Sequence, residues 1–203
     1  MNADDLVPSP SKRFAITLIW TGIVGWLAAF ALVIERIRLA EHPHEALSCD
    51  VNLWISCAKV MITPQAKLFG FPNPIIGLGA FVFPIAVGFA ILAGARFKLW
   101  FWRCFTIGIS LGLVFIVWLF IQTNYFIHAL CPYCMLAWAA MIPLFWRVIL
   151  WAGAEGVFDM PVRTIKWFVN ASESSWFYAA MTELLALILI TIAFWPLIIA
   201  TFK

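Results

Sequence analysis

The sequence predicts an all-α integral membrane protein in one domain, and three observations carry that prediction. Of its 203 residues, 65% are hydrophobic and only 11% charged, and the mean hydropathy is +0.99, well outside the composition of soluble globular domains. Five apolar runs each approach or exceed the roughly 20 residues a helix needs to cross a hydrocarbon core of about 30 Å. Charged residues gather between these runs, where water can solvate them. The net charge of +3 is spread over loops and forms no basic stripe, which argues for membrane topology and against a nucleic-acid partner.

Each element has its own signal. Residues 1–13, with Pro8 and Pro10, lack apolar periodicity and read as a polar tail. The first span covers about residues 14–34. It is too long for the apolar region of a signal peptide and no small-residue cleavage pattern follows, so it reads as retained. Glu35, Arg36 and Arg38 mark its end, and residues 39–73 form the longest stretch without a membrane run. Inside that loop, residues 55–69 carry apolar Ile55, Val60, Met61, Leu68 and Phe69 among Lys59, Gln65 and Lys67. That pattern suits one short interfacial half-helix broken near Pro64. Pro72-Asn73-Pro74 then stops the loop and places Pro74 in a first helical turn, where a missing N–H costs little. The second span follows over about 75–95, with Arg96, Lys98 and Arg103 marking the next turn. The third runs over 104–125, and a short link with His128 leads to the fourth, over 131–151. Residues 152–174, with Asp159, Arg163, Lys166 and Glu173, read as a polar connection before a fifth span over 176–202.

Five spans put the chain ends on opposite sides. Lys12, Arg13, Arg96, Lys98, Arg103, Arg147, Arg163 and Lys166 fall on the side of the N-terminus, eight of the 13 Lys and Arg residues. Arg36, Arg38, Lys59, Lys67 and Lys203 fall on the other. A basic excess favours the cytoplasm. The expected location is therefore the inner (cytoplasmic) membrane, with the N-terminus inside and the loop at 39–73 and the link before Cys131 outside.

The five cysteines make two pairs and a remainder. Cys49 and Cys57 lie in the first loop, Cys131 and Cys134 open the fourth span, and the spans read from hydropathy alone put all four on one face, which the basic excess makes the outer one. Thiol pairs facing an oxidising compartment point to redox traffic. In Cys131-Pro132-Tyr133-Cys134 the sulfurs share one face of a helix's first turn, where a disulfide can close and free amides favour a thiolate. A thiolate at the membrane boundary meets disulfides or dithiols from water and electron carriers from lipid. Among the carriers a quinone accepts the two electrons a dithiol gives up. Cys49 and Cys57, on a loop, are placed to shuttle between a soluble partner and the helix pair. Cys104, with basic neighbours on the inner side, reads as a packing residue.

With these residues assembled, the chain resembles a bacterial, actinobacterial-like member of the vitamin K epoxide reductase family over about residues 14–151. The resemblance rests on Cys49-Asp50, then Cys57, then Cys131 and Cys134 opening the fourth span. That order separates it from the DsbB family, whose Cys-x-x-Cys lies in the earlier loop. The resemblance implies a four-helix transmembrane bundle around a quinone of menaquinone or ubiquinone type, capped by the half-helix and joined by a fifth transmembrane helix. It also implies that Cys134 reduces the quinone, Cys131 exchanges with Cys57, and Cys49 exchanges with a partner protein. Thr63 and Asn73 match polar positions of the family near the quinone. Trp138 stands where animal members carry Tyr, and its indole donates a hydrogen bond but cannot accept one. No thioredoxin-like domain follows the fifth span, so a separate secreted or periplasmic thioredoxin-like (DsbA-like) protein is the implied partner. The implied activity is a thiol-disulfide oxidoreductase that passes electrons to the membrane quinone pool and sustains extracytoplasmic disulfide formation.

Other readings compete with this one. Within the family stands reduction of a quinone epoxide of vitamin K type, and outside it a membrane scaffold or metal-binding protein with structural cysteines. Cys49 and Cys57 would then be a static staple. The eight-residue gap between them is unlike the short ligand spacing of zinc sites. His42, His44 and His128 read as solvated loop histidines, His128 being the candidate proton carrier by its nearness to Cys131 in sequence. Glu183, inside the fifth span, is flagged as an intramembrane carboxylate.

Overall fold

The structure is a computed structural model that describes residues 8, 10–43, 45–52 and 54–201. Most of the polar tail, His44 and the end of the fifth span at Phe202 lie outside the described residues. Seven α-helices follow in order among the described residues: α1 Lys12–Glu41, α2 Cys57–Met61, α3 Pro74–Leu92, α4 Leu99–Ile121, α5 Pro132–Ala154, α6 Val162–Glu173 and α7 Ser175–Thr201. No strand appears among those residues. Five of the helices are long and apolar enough to cross a membrane, α4 continuing through a π-helical turn to Ile127. The protein is an all-α, multi-pass membrane protein. The half-helix is present as α2 followed by a 3-10 turn at Pro64–Lys67, broken where Pro64 removes a donor.

The helix ends differ from the hydropathy boundaries for local reasons. Ser11 caps α1, its Oγ accepting from the Phe14 N–H at 3.2 Å. The helix does not stop at Ile34: Arg36 donates to the Met61 carbonyl at 2.8 Å and Glu35 turns inward, so α1 runs on to Glu41. By contrast α3 ends at Leu92. Gly94 takes a left-handed φ of 88°, its N–H donates to Ile91 and that of Ala95 to Ala90, closing a Schellman cap that glycine permits. Arg103, a turn marker in the hydropathy reading, lies inside α4. Its guanidinium donates to the Val157 carbonyl at 2.7 Å and to Asp159 at 2.6 Å, so the charge is satisfied at the rim while the helix continues. The polar connection at 152–174 contains α6, whose inward Ile165, Phe168 and Ala171 recur at helical spacing. The ring of Phe168 lies against Gly153 of α5, where a Cβ would collide with it.

Helix packing leaves one deliberate gap. Apart from α6, α1 packs on α3 and α5, while α5 also packs on α4 and α7. The α1–α3 crossing is close because small residues face it. A Cβ on Gly22 would stand 2.6 Å from Ile85 Cγ1, and one on Gly88 would stand 2.8 Å from the Ala15 carbonyl oxygen. Backbone cannot yield as a side chain does, so Gly88→Ala is expected to cost about 1–3 kcal/mol, read as a lower unfolding midpoint in detergent. Phe14, Trp102 and Trp151 fill the junction of α1, α4 and α5, with Trp102 and Trp151 rings 4.4 Å apart. The fifth long helix, α7, sits outside this bundle, joined to α5 by the Trp146 indole donating to Thr182 at 2.9 Å. Between α3 and α4 there is little direct contact, and the bundle encloses a cavity there.

Candidate redox site

The first loop folds onto the start of α5 by backbone pairing. Leu130 N–H donates to Trp54 at 2.7 Å and Ser56 N–H to Leu130 at 2.9 Å, with Ile55 and Leu130 forming a parallel bridge. Asp50 folds the loop on itself, its two oxygens accepting from the N–H groups of Leu47 at 3.1 Å and Ala58 at 3.2 Å. Ser56 caps α2. These bonds bring Cys49 to Cys57, their Cα atoms 5.7 Å apart, and the two form a disulfide. They also bring Cys57 Sγ within 3.3 Å of Cys131 Sγ.

Cys131 and Cys134 are free thiols. Cys131 is the N-cap of α5, its sulfur accepting from the Cys134 N–H at 3.4 Å, and Pro132 occupies the first turn, as the spacing predicts. A hydrogen bond from the Cys134 thiol lowers the pKa of Cys131; burial opposes this, and the Cys134 and Tyr133 amides reinforce it. The thiolate therefore belongs on Cys131, the sulfur that faces the disulfide. For Asp50, burial raises the pKa, but hydrogen bonds from Ser56 and from the amides of Leu47, Ala58 and Cys57 together outweigh it and leave the carboxyl below its ordinary value.

Two pH effects follow. Because the folded pKa of Asp50 is depressed, its stabilisation of the loop is fully present at neutral pH and is lost as pH falls through that folded pKa; native-state hydrogen exchange of the Ala58 amide should speed up there. Because the Cys131 pKa is lowered, its exchange should persist at a pH where an ordinary thiol is protonated. Cys134→Ala, which removes the largest cause, should move the acid limb of Cys131 alkylation upward.

A cavity of about 620 Å³ lies among α1, α3, α4 and α5, inside the range of small-molecule sites. Cys131, Cys134, Trp138 and Asn73 line one end; Phe81, Gly108 and Met141 line its length. Polar groups are few and concentrated at the cysteine end. Asn73 accepts from the Leu68 N–H at 3.1 Å and donates to the Gln65 carbonyl at 2.7 Å, which leaves its second amide proton.

The four predicted cysteines come together, and Asn73 and Trp138 line the cavity. Thr63 is not among its lining residues; its hydroxyl donates to the Val60 carbonyl at 2.7 Å and secures the end of α2. Cys104 is exposed and lines the far part of the cavity, so it is not a packing residue. His128 is exposed and holds a left-handed φ of 54° at the end of the π-helical turn. Sequence reasoning missed Glu35, Ser48 and Tyr133, which meet beside Cys49. The only signal for them was a lone carboxylate at the end of an apolar run.

A loop disulfide in contact with a free Cys-x-x-Cys, at the mouth of an apolar cavity inside a helical bundle, defines a membrane redox protein. The chain belongs to the vitamin K epoxide reductase family, whose model matches residues 16–149, and it is accordingly a membrane oxidoreductase of that family. No match was found among curated proteins.

Proposed function

We propose that the protein is a quinone-dependent thiol-disulfide oxidoreductase that oxidises a secreted or periplasmic thioredoxin-like (DsbA-like) protein and passes the electrons to the membrane quinone pool. The observation that carries this reading is the 3.3 Å approach of Cys57 Sγ to Cys131 Sγ, which joins the loop pair to the pair lining the cavity. The basic residues crowding the opposite end support an outward-facing cysteine end.

In this mechanism a partner thiolate attacks Cys49, the Cys49–Cys57 bond breaks, and Cys57 leaves as a thiolate. The partner's second thiolate then attacks its own mixed-disulfide sulfur, departs as a disulfide and leaves Cys49 reduced. When the helix pair is oxidised, Cys57 attacks Cys131, releasing Cys134. Attack of Cys49 on Cys57 next releases Cys131 and restores the loop disulfide. The result is the arrangement described here, a loop disulfide beside the free Cys131 and Cys134. That dithiol then gives up two electrons and two protons and closes its own disulfide, Cys134 facing the cavity.

A bound quinone supplies the two-electron, two-proton acceptor. The residues present fit one. The cavity is apolar along its length, the remaining Asn73 N–H, the Trp138 indole and the Arg36 guanidinium on its lining are donors near the cysteines, and the slack α3–α4 contact leaves room for an apolar tail. Thr63 contributes through the half-helix that roofs this end. The test is complementation of a strain lacking other oxidases. Cys49→Ala and Cys134→Ala should each leave a reporter protein reduced where the parent chain oxidises it; full oxidation by both variants would remove the reading.

A further inference from the structure

Cys49 must be reached by another protein, yet it is 4% exposed and Cys57 is fully buried. The disulfide is therefore closed to attack until the loop moves. What holds it shut is visible on α1. Glu35 is 3% exposed, a carboxylate withdrawn from water that must be satisfied by donors. Three reach it: the Ser48 hydroxyl at 2.7 Å, the Ser48 N–H at 3.3 Å and Arg38 Nη1 at 3.2 Å. Two of the three belong to the residue next to Cys49. The Ser48 hydroxyl also lies 3.2 Å from the Tyr133 hydroxyl, and Tyr133 sits between Cys131 and Cys134.

From this geometry we propose that Glu35 and Ser48 form a latch that gates access to Cys49, resting on the thiol-exchange role proposed above for that cysteine. Glu35 is a positioning residue: it touches no sulfur and acts through Ser48. Opening the loop takes both Ser48 donors from the buried Glu35 side chain and leaves it Arg38 alone, so these contacts favour the closed loop. Tyr133 ties the same hydroxyl to the helix that carries the second pair, so the latch fastens Cys49 to the motif it serves. Cys57 does not depend on this contact, because α2 is held separately by Ser56, Asp50 and the pairing with Leu130. The latch thus governs exchange with the outside and not exchange between the pairs.

The test uses the full chain in liposomes and two small thiols as probes. Reduction of Cys49–Cys57 by glutathione, followed by alkylation and mass spectrometry, should be about tenfold faster in Ser48→Ala and Glu35→Gln. Ser48→Thr, which keeps the hydroxyl, should return it toward the parent rate. The double variant should be no faster than the faster single one, since both break one contact. Quinone reduction driven by dithiothreitol acting directly on Cys131–Cys134 in a Cys49→Ala background should be unchanged by Ser48→Ala. Unchanged or slower glutathione reduction in the single variants would overturn the latch, as would an equal change in the dithiothreitol-driven reaction. Oxidation of a reduced thioredoxin-like protein by Cys49→Ala at the parent rate would instead count against the exchange scheme beneath it.

Discussion

A double variant, Cys49→Ala with Cys134→Ala, is expected to close a disulfide between Cys57 and Cys131 in nearly every molecule and to lose quinone-dependent thiol oxidation by roughly a thousandfold or more. The prediction rests on the 3.3 Å separation of those two sulfurs. With their partners Cys49 and Cys134 removed, the remaining thiols have only each other. Oxidation by air or a mild disulfide then needs no movement of α2 or α5. Under denaturing, non-reducing conditions, alkylation should leave both cysteines unlabelled while Cys104 is labelled. Labelling of both Cys57 and Cys131 would mean that the contact does not persist in solution.

Filling the cavity should separate the two halves of the reaction. Gly108 lines it, and nothing stands within 4 Å of where a Cβ would lie, so Gly108→Phe can fold with its ring in the space assigned to the quinone. Overlap there is expected to cost about 2–3 kcal/mol of quinone binding, raising KM roughly 30- to 150-fold. Glutathione reduction of Cys49–Cys57 should be unaffected, because that disulfide lies outside the cavity's length. Quinone kinetics and glutathione reduction measured on one preparation give the split. Parent-like kinetics for the quinone in Gly108→Phe would place its site elsewhere.

The fold was largely legible in the sequence because lipid imposes one strong rule: apolar runs of helix length become spans. What hydropathy misjudged were ends decided by other things. Gly94 stops α3 through a left-handed cap, Arg103 remains helical because a distant loop at Val157 and Asp159 receives its guanidinium, and α6 was hidden by its charged outer face. The cysteine pairs were legible as pairs, since spacing and topology placed all four at one end. Their contact was not, because it depends on Asp50 and on backbone pairing between Trp54, Ser56 and Leu130. Glu35 was misread most completely. A carboxylate at the end of an apolar run looks like a boundary, and only the folded loop, which delivers Ser48 across thirteen residues, turns it into a buried anchor. Thr63 was legible only by resemblance, and its hydroxyl donates to the Val60 carbonyl of its own half-helix.

The central claim is that electrons enter at Cys49 and leave at the cavity. Its most direct test follows the purified protein in liposomes with a reduced thioredoxin-like protein and a quinone, quenched in acid at successive times. One quinol should form for each partner disulfide made, and a partner lacking its resolving cysteine should be captured at Cys49 alone. Capture at Cys134, or quinol formation from the partner by Cys49→Ala, would contradict the account.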